Sequence, residues 1–369
     1  MKVLIVPDKF KGTLTAFAAS EAIARGWNRV RPKDSLELLP MSDGGDGFGE
    51  IISRLLQAEI QEVKTVDAAH RPLMAHWWWA PKSKLAIIES ARVIGLALLP
   101  SAKYHPFELD TFGLGAVLRE AIVKGAKRCL VGIGGSATND AGFGLARSLG
   151  WQFLTKLGEA VESWTALHLI SQISRPKQTW SFNELLVAVD VRNPLLGKQG
   201  CTRVYGPQKG LRPADFPLAD RCLNRLARVV KKQFQIDCAN EPGAGAAGGL
   251  GYGLRCFAGA RLVPGFDLFA RFGKLLEKIR SAHLVITGEG AIDQSTLMGK
   301  GVGEVAVLCR REGIPCIGLA GIISDPAAAQ LGFTQAHALT PALTAGEKAR
   351  AEPARWLEKL AAQVARAWA

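Results

Sequence analysis

Short, uninterrupted apolar runs alternate with longer helical patterns near both ends of the chain. Residues 2–6, 185–189 and 284–287 form such runs. Continuous apolar runs of this length are typical of parallel strands that are buried on both faces. Residues 15–30 have the length and alanine content of a helix, with Thr15 as its predicted N-cap. The pattern therefore predicts an α/β fold with a parallel sheet.

The same reasoning assigns further elements. Strands are predicted at 35–39, 61–66, 73–80, 129–133 and 315–319, and helices at 46–57, 303–311 and 346–368. A chain of 369 residues exceeds one ordinary core, so two domains are expected. Both ends of the chain have the pattern of parallel strands alternating with helices, whereas the middle has a different pattern. We therefore predict a discontinuous, doubly wound, Rossmann-like domain at 1–65 plus 283–369, carrying an inserted second α/β domain at 66–282.

A glycine-rich segment at 131–142 follows one predicted strand and precedes a predicted helix. Glycines allow close approach of the backbone to an anion, and a helix start supplies unpaired N–H donors. Gly134, Gly135 and Ser136 are the residues expected to bind phosphate or carboxylate oxygens. Comparable glycine loops recur at 42–48, 243–253 and 288–300.

Acidic side chains follow several predicted strands, each beside glycine. They are Asp8, Asp43, Asp46, Asp190, Glu289 and Asp293. Any one of them alone is most often a helix cap or a turn residue. Several carboxylates at one edge of a sheet would suit a Mg²⁺ site or a general base.

Lysines also occur in glycine loops, at Lys9, Lys11, Lys209 and Lys300. Each alone is most often a solvated surface residue. A phosphoryl-transfer site needs amide donors, a divalent ion, a cation near the transferred group and a base for the attacking hydroxyl. The sequence holds all of these residue types, although the set is not specific to that reaction.

Several familiar motifs and sites are absent or weak. The chain lacks a P-loop, and the Gly-x-Gly-x-x-Gly match at 243–248 follows no clear strand, so a glycine-rich helix packed against a sheet is favoured over a dinucleotide site. Residues 89–92 form a further candidate site segment, although Ser90 lacks the flanking glycines of a hydrolase nucleophile. Seven cysteines without C-x-x-C spacing argue against a disulfide framework or a zinc site, and buried thiols are expected.

The net charge of +13 has two interpretations. Basic side chains can simply keep the surface soluble, or they can form an electropositive cleft for an anionic substrate. Nucleic acid binding is disfavoured, because the basic residues are spread out and form no stripe with aromatic residues. No apolar segment approaches the ~20 residues that span a membrane, and no secretory signal is visible. A cytoplasmic location is expected.

The glycine and acidic loops together resemble the glycerate kinases of the bacterial type. The matching segments, in the order of that family, are PDKFKGTLTA (7–16), SDGGDG (42–47), IESAR (88–92) with GL (95–96), GIGGSATNDAG (132–142), DVRNPLLG (190–197), GPQKG (206–210), PGAGAAGGLG (242–251), and TGEG (287–290) with MGK (298–300). Each motif is modest, but the ordered set is specific and covers most of the chain. The resemblance implies two α/β domains with the active site in the interdomain cleft, ATP and Mg²⁺ as cofactors, and phosphorylation of D-glycerate at the 2-hydroxyl.

Within that interpretation, each candidate residue has an expected role. Asp8 and Lys11 flank the transferred phosphoryl group, and Asp190 is the general base or a metal ligand. Glu289 and Asp293 orient Mg²⁺ or the glycerate hydroxyls. The substrate and phosphate contacts are assigned to Asp43, Gly134, Gly135, Ser136, Asn193, Lys209 and Lys300, with Asn193 also fixing its turn. A homodimer is a further expectation.

Three positions depart from the family pattern. Lys9 replaces a usual serine, Phe48 replaces a common threonine, and Ala291 replaces an arginine after Gly-Glu-Gly, where Gln294-Ser295 also reverses the usual order. These departures keep two alternatives open. One is a kinase for another small hydroxy acid or sugar acid, and the other is a non-catalytic sensor of a phosphorylated metabolite. A dinucleotide-dependent oxidoreductase is a more distant third.

Overall fold

The computed structural model describes residues 1–45, 47–297, 301–324 and 332–368, and the chain divides into two compact units. The first unit comprises Met1–Asp43 and Phe266–Ala369, and the second comprises Gly44–Gly265. These boundaries differ from the predicted ones at 65 and 283. The difference arises because helix Phe48–Leu55 and strand Glu59–Val66 pack in the second unit, whereas the residues from 266 to 282 belong to the first.

The first unit contains a five-stranded, fully parallel sheet. Its strands are β1 (Lys2–Pro7), β2 (Ser35–Leu38), β11 (Leu284–Ile292), β12 (Cys316–Ile323) and β13 (Gln335–Thr340), in the order β13-β12-β11-β1-β2. Its helices are Ala16–Val30, Gly265–Phe272, Leu275–Ser281, Gln294–Leu297, Gly301–Arg311, Gly346–Ala351 and Pro353–Ala367. Counted within the unit, the strand order is 2-1-3-4-5. This is one of the two common doubly wound orders, distinct from the six-stranded Rossmann order.

Both faces of this sheet are buried. Val3 and Ile5 on β1 share one hydrophobic cluster with residues of helices Ala16–Val30 and Pro353–Ala367. Leu4 and Val6 point to the opposite face, since side chains alternate along a strand, and they too are fully buried. Burial on both sides explains why the apolar run at 2–6 is continuous, and Thr15 caps the first helix as predicted, accepting a hydrogen bond from the amide of Ala18.

The second unit contains a six-stranded mixed sheet and a separate hairpin. The sheet has the order β10-β9-β6-β5-β4-β3, formed by β3 (Glu59–Val66), β4 (Pro72–Ala80), β5 (Leu85–Glu89), β6 (Arg128–Gly132), β9 (Glu184–Val189) and β10 (Arg261–Pro264). Strands β5, β6, β9 and β10 are parallel, whereas β3 and β4 are antiparallel additions. The hairpin pairs β7 (Gln152–Thr155) with β8 (Ile170–Ser174).

The helices of the second unit connect and cover these strands. The α-helices are Phe48–Leu55, Ala91–Ile94, Gly113–Val123, Phe143–Ser148, Cys201–Lys209, Phe216–Phe234 and Ala246–Phe257. Short 3₁₀ helices occur at Pro81–Ser83, Leu96–Leu98, Pro106–Glu108, Trp164–Leu169 and Pro213–Asp215. The three consecutive tryptophans on β4, Trp77 to Trp79, are buried.

Two element predictions were wrong in detail, and one strand was missed. β11 does not end at Thr287 but continues through the glycine segment to Ile292, because its backbone goes on pairing with β12. The predicted helix at 346–368 is two helices, Gly346–Ala351 and Pro353–Ala367, since Pro353 lacks an N–H and starts a new helix. Strand β13, with the 335–340 stretch that forms it, had not been predicted.

The glycine segment at 243–253 packs closely against its neighbours. A Cβ added to Gly248 would lie 1.9 Å from the carbonyl oxygen of Thr138, and one on Gly243 would lie 3.0 Å from Val189. These distances support the close-packing interpretation of the Gly-x-Gly-x-x-Gly match. The cysteines are all free and buried, as predicted. No helix in the described ranges combines the length and apolarity needed to cross a membrane.

The first helix and the last long helix of the first unit pack at unusually short range. A Cβ added to Gly26 would lie 2.1 Å from the carbonyl oxygen of Glu358 and 2.9 Å from the Cβ of Ala361. Arg25 and Arg29 both form ion pairs with the Glu358 side chain. Only glycine at position 26 permits this approach.

We therefore predict that Gly26→Ala destabilises the protein, although alanine is the better helix former by about 1 kcal/mol. The steric clash should exceed that gain and lower the free energy of unfolding by about 1–3 kcal/mol. Denaturant unfolding followed by circular dichroism measures the change. Glu21→Ala on the exposed face of the same helix is the control and should change stability by less than about 0.5 kcal/mol. Equal stability of the Gly26→Ala and wild-type proteins would contradict the packing argument.

Candidate active site

The carboxyl edge of the first sheet contains a topological switch point between β1 and β11. The chain leaves β1 toward β2 on one side, while β11, β12 and β13 extend the sheet on the other. Ligands of open α/β sheets bind at such points, where the connections run in opposite directions. Pro7 of β1 pairs with Gly288 of β11 here. The residues that come next on the two strands, Asp8 and Glu289, therefore lie beside each other at this edge.

Asp8 lies at this edge and has a strongly perturbed carboxyl group. Its amide donates to the carbonyl oxygen of Gly288 at 2.8 Å, and its Oδ1 accepts from the amide of Lys9 at 2.7 Å. The pKa of Asp8 is raised from its ordinary value of 3.8 to about 7, mainly by burial and then by the negative charges of Asp43 and Glu289, against the opposing effect of Lys9. Three predicted site residues thus lie close enough for their charges to interact.

Glu289 and Asp293 are connected through a residue that the sequence analysis missed. The Thr296 hydroxyl donates to Glu289 Oε1 at 2.8 Å and accepts from the amide of Asp293 at 3.1 Å. Glu289 and Thr296 are both buried. Thr296 therefore fixes the Glu289 carboxylate and the turn that carries Asp293. A threonine in a run read as loop gives no sequence signal of such a role.

The predicted cations of this unit differ in their surroundings. Lys11 is exposed, and the β11 backbone passes close to it, since a Cβ on Gly290 would lie 3.3 Å from the Lys11 amide nitrogen. Lys9 is half-buried next to Asp8. The predictions for Lys300 and Asp46 fall outside the described residues.

In the second unit, the glycine loop after β6 is tied to the segment after β5. The amides of Ser90 and Leu96 donate to the carbonyl oxygens of Gly132 and Gly135, each at 2.9 Å. Gly135 has a φ of +72°, a conformation that favours glycine. Gly134 is half-buried and Gly135 is exposed, so their backbone is accessible to a ligand.

Ser136 and Lys209 stabilise the inside of this loop. The Ser136 hydroxyl is buried, where it accepts from the Thr138 amide at 3.1 Å. Lys209 Nζ donates to the Thr138 carbonyl oxygen at 2.6 Å, and burial lowers the pKa of Lys209 to about 8. Lys209 is therefore not the solvated surface residue that the sequence alone would favour. The predicted phosphate contacts of both side chains stay predictions.

Asn193 and Asp190 follow β9, the next parallel strand. Asn193 Nδ2 donates to the carbonyl oxygen of Gln199 at 2.9 Å, and its Oδ1 accepts from the hydroxyl of Tyr205 at 2.6 Å. Both ends of the amide are therefore used to hold the turn. Asp190 is exposed. The pKa of Tyr205 is raised to about 12, mainly by the burial of Tyr205 and then by the negative charge of Asp190.

Glu89 and Arg92 form a pair of charged residues at the carboxyl end of β5, in the sheet of the second unit. Glu89 is buried, and its Oε1 accepts from the Gly47 amide at 2.7 Å. Its Oε2 accepts from Arg92 Nε at 3.3 Å, and the Arg92 guanidinium lies 4.8 Å from the ring centroid of Trp78. The sequence analysis singled out this segment without assigning it a ligand.

The carboxylates of the first unit suit a hard divalent cation by their chemistry. Within the described ranges, no group of three or more His, Cys, Asp or Glu side chains could hold a metal ion without further ligands. Mg²⁺ usually keeps several waters and takes only one or two carboxylates, with substrate phosphates completing its shell. The charge repulsion that raises the Asp8 pKa is also of the kind that a cation relieves. The donor set therefore fits Mg²⁺ brought in with a nucleotide.

Comparisons with known proteins show the family of the chain. A model of the glycerate kinase family matches residues 3–369. The chain is 37% identical to a glycerate kinase of Halalkalibacterium halodurans over 98% of this chain and 97% of the relative. It is 34% identical to the glycerate 2-kinase of Escherichia coli K12 over 88% of this chain and 86% of the relative.

A solved structure is similar over the same extent. The crystal structure of a protein from Salmonella typhimurium LT2, described as a glycerate kinase 2, superposes with a TM-score of 0.86 at 32% identity. It covers 100% of this chain and 98% of that one. The resemblance seen in the ordered glycine and acidic motifs is thereby confirmed, and the chain belongs to the glycerate kinase family.

Proposed function

We propose that this protein transfers the γ-phosphoryl group of ATP to the 2-hydroxyl of D-glycerate, giving 2-phosphoglycerate and ADP. Membership of the glycerate kinase family over residues 3–369 is the observation that carries the proposal. The carboxylates at the switch point of the first sheet and the glycine loop of the second supply the residue types that phosphoryl transfer requires.

Asp8 is the general base that the electrostatics favour. In this role its carboxylate accepts the proton of the glycerate 2-hydroxyl as the hydroxyl oxygen attacks the γ-phosphorus. A pKa of about 7 leaves about half of Asp8 ionised at neutral pH and makes its carboxylate basic enough to accept a proton. Asp190, the base predicted from the sequence, is exposed and lies in the second unit. It is retained as the alternative.

The other residues bind and orient the reactants. The backbone amides of Gly134 and Gly135 would hold phosphate oxygens, and Lys11 would supply a positive charge to the transferred group. Glu289 and Asp293 would hold Mg²⁺, with Thr296 fixing both. When bound, the ion would neutralise charge on the nucleotide phosphates.

One position favours a second candidate, a kinase for another small hydroxy acid. Ala291 lies in β11 opposite Ile322, where the family pattern has an arginine. An alanine offers no charge to a substrate carboxylate. A longer acid with different polar groups could then be the preferred acceptor.

The first test follows the phosphorus NMR spectrum of the purified protein with Mg-ATP and D-glycerate. We expect signals of 2-phosphoglycerate and ADP to appear together. A panel of longer hydroxy acids and sugar acids is assayed in parallel. If one of these acids is phosphorylated in preference to D-glycerate, that acid is the substrate. Ligand binding without formation of ADP would favour the sensor alternative.

A second prediction distinguishes the two candidate bases. Asp8→Asn should lower kcat by about 10²–10⁴-fold, because a general base contributes about that factor. Asp190→Asn should lower it far less. Asp237→Asn, at an exposed aspartate paired with Lys231, is the matched control and should leave kcat unchanged. A larger loss in Asp190→Asn than in Asp8→Asn would return the role of base to Asp190.

The pH dependence gives a third prediction. Because Asp8 must be ionised to accept a proton, kcat/KM should rise about tenfold per pH unit up to pH 7 and level off above it. The profile is measured with the wild-type protein and with Asp8→Asn, whose residual activity should lack that limb. An unchanged limb in Asp8→Asn would assign the titration to another group.

The raised pKa of Asp8 also predicts a trade between function and stability. The unfolded chain ionises Asp8 near pH 3.8, whereas the folded protein does so only near pH 7, so ionisation destabilises the fold as the pH rises between these values. Asp8→Asn should therefore raise the free energy of unfolding of the unliganded protein by on the order of 2 kcal/mol above pH 7. The gain should vanish toward pH 4. Denaturant unfolding at both pH values measures it, and a loss of stability above pH 7 would contradict the assignment.

A further inference from the structure

The Arg92 guanidinium is held by two neighbours of different kinds. Its plane is supported by Trp78, at 4.8 Å from the ring centroid, and its Nε donates to Glu89 Oε2 at 3.3 Å. Trp78 and Glu89 are buried, whereas the Arg92 side chain is 40% exposed. The guanidinium is therefore held on one side by Trp78 and Glu89 and remains accessible to solvent on the other.

Most of the hydrogen-bonding capacity of Arg92 is unused by the protein. A guanidinium carries five N–H donors, and the contacts within the described part of the chain use only the one on Nε. Glu89 does not form the two-pronged pair that usually joins arginine to a carboxylate, since its Oε1 is engaged by the Gly47 amide at 2.7 Å. The terminal nitrogens are left to bind something else.

The position of Arg92 relative to the glycine loop is fixed by main-chain hydrogen bonds on both sides of it. Ser90 and Leu96 donate to the carbonyl oxygens of Gly132 and Gly135, and the amide of Ala137 donates to the carbonyl oxygen of Ile94 at 2.8 Å. All these atoms belong to the second unit, at the carboxyl ends of the adjacent parallel strands β5 and β6. A planar cation and an accessible glycine backbone therefore share one edge of one sheet.

We infer that Arg92, oriented by Trp78 and Glu89, is a binding residue for an anionic oxygen group of a substrate, either the carboxylate of the acid or a phosphate of the nucleotide. The planar fork of arginine matches both groups, and a lysine in its place would offer only a point charge. The stacked Trp78 gives the consecutive tryptophans of β4 a role beyond packing. The identity of the two ligands rests on the proposed function.

The chain provides a matched control at Arg255. Its Nε also donates to a glutamate, Glu241, at 3.3 Å, and its side chain is 39% exposed. Glu241 is itself 39% exposed, unlike the buried Glu89. Among the ring contacts of the described residues, none places an aromatic ring under Arg255. The two arginines thus have the same kind of ion pair but differ in the orienting ring and in the burial of the partner glutamate.

The test compares Arg92→Lys and Arg255→Lys in steady-state kinetics with D-glycerate and ATP varied in turn. Arg92→Lys should raise one KM about tenfold or more and change kcat by less than about twofold, whereas Arg255→Lys should change neither. A rise in the KM of D-glycerate identifies the carboxylate as the ligand, and a rise in the KM of ATP identifies a phosphate. Trp78→Leu should raise the same KM, and Trp78→Phe, which keeps a ring, should largely restore it.

A binding measurement separates this inference from the proposed function. The melting temperatures of the wild type and both lysine variants are measured with inorganic phosphate alone and with D-glycerate alone. We expect at least one of these probes to raise the melting temperature of the wild type and of Arg255→Lys but not that of Arg92→Lys. This result would support the site even if no kinase activity were found.

Two results would overturn the inference. One is an Arg92→Lys protein with unchanged KM values and wild-type shifts with both probes, which would leave Arg92 only the task of neutralising Glu89. The other is a wild-type protein whose melting temperature neither probe changes.

Discussion

The parallel pairing of β1 with β11 is the contact on which the first unit depends. Pro7 and Gly288 are 281 positions apart in the sequence, and their pairing joins the two N-terminal strands to the three C-terminal strands of this sheet. The Thr287 hydroxyl reinforces it by donating to the carbonyl oxygen of Val6 at 2.6 Å. Without this pairing, Asp8 and Glu289 would not share an edge and the sheet would have no switch point.

The electrostatic repulsion between carboxylates at that edge destabilises the folded state. Burial of Asp8 beside two other carboxylates disfavours its ionised form, and Lys9 offsets only part of this effect. Perturbed groups of this kind cluster at functional sites, where the cost is accepted for reactivity. In the second unit, by contrast, polar side chains form hydrogen bonds that stabilise the loops around the glycines. They are those of Lys209, Asn193 and Ser136.

The sequence predicted the α/β class, most strands and the family, since buried parallel strands and glycine loops leave direct patterns in the residues. It did less well where long-range pairing decides the outcome. The segment after Thr287 looks like a loop because of its glycines, yet pairing with β12 keeps it extended to Ile292. The role of Thr296, and the internal use of Lys209, depend on partners distant in sequence or hidden by burial, so residue type alone could not reveal them.

The division of the first unit between the two ends of the chain has a consequence for synthesis on the ribosome. Strand β1 emerges among the first residues, but its partner β11 begins only at Leu284. At about 5–20 residues per second, this apolar strand must wait on the order of ten seconds to a minute for its neighbour. Residues 44–265, by contrast, are contiguous and complete their own sheet earlier. Apart from its pairing with β2, strand β1 therefore has one open edge through most of the synthesis of the chain, and this edge is exposed to aggregation until β11 is made.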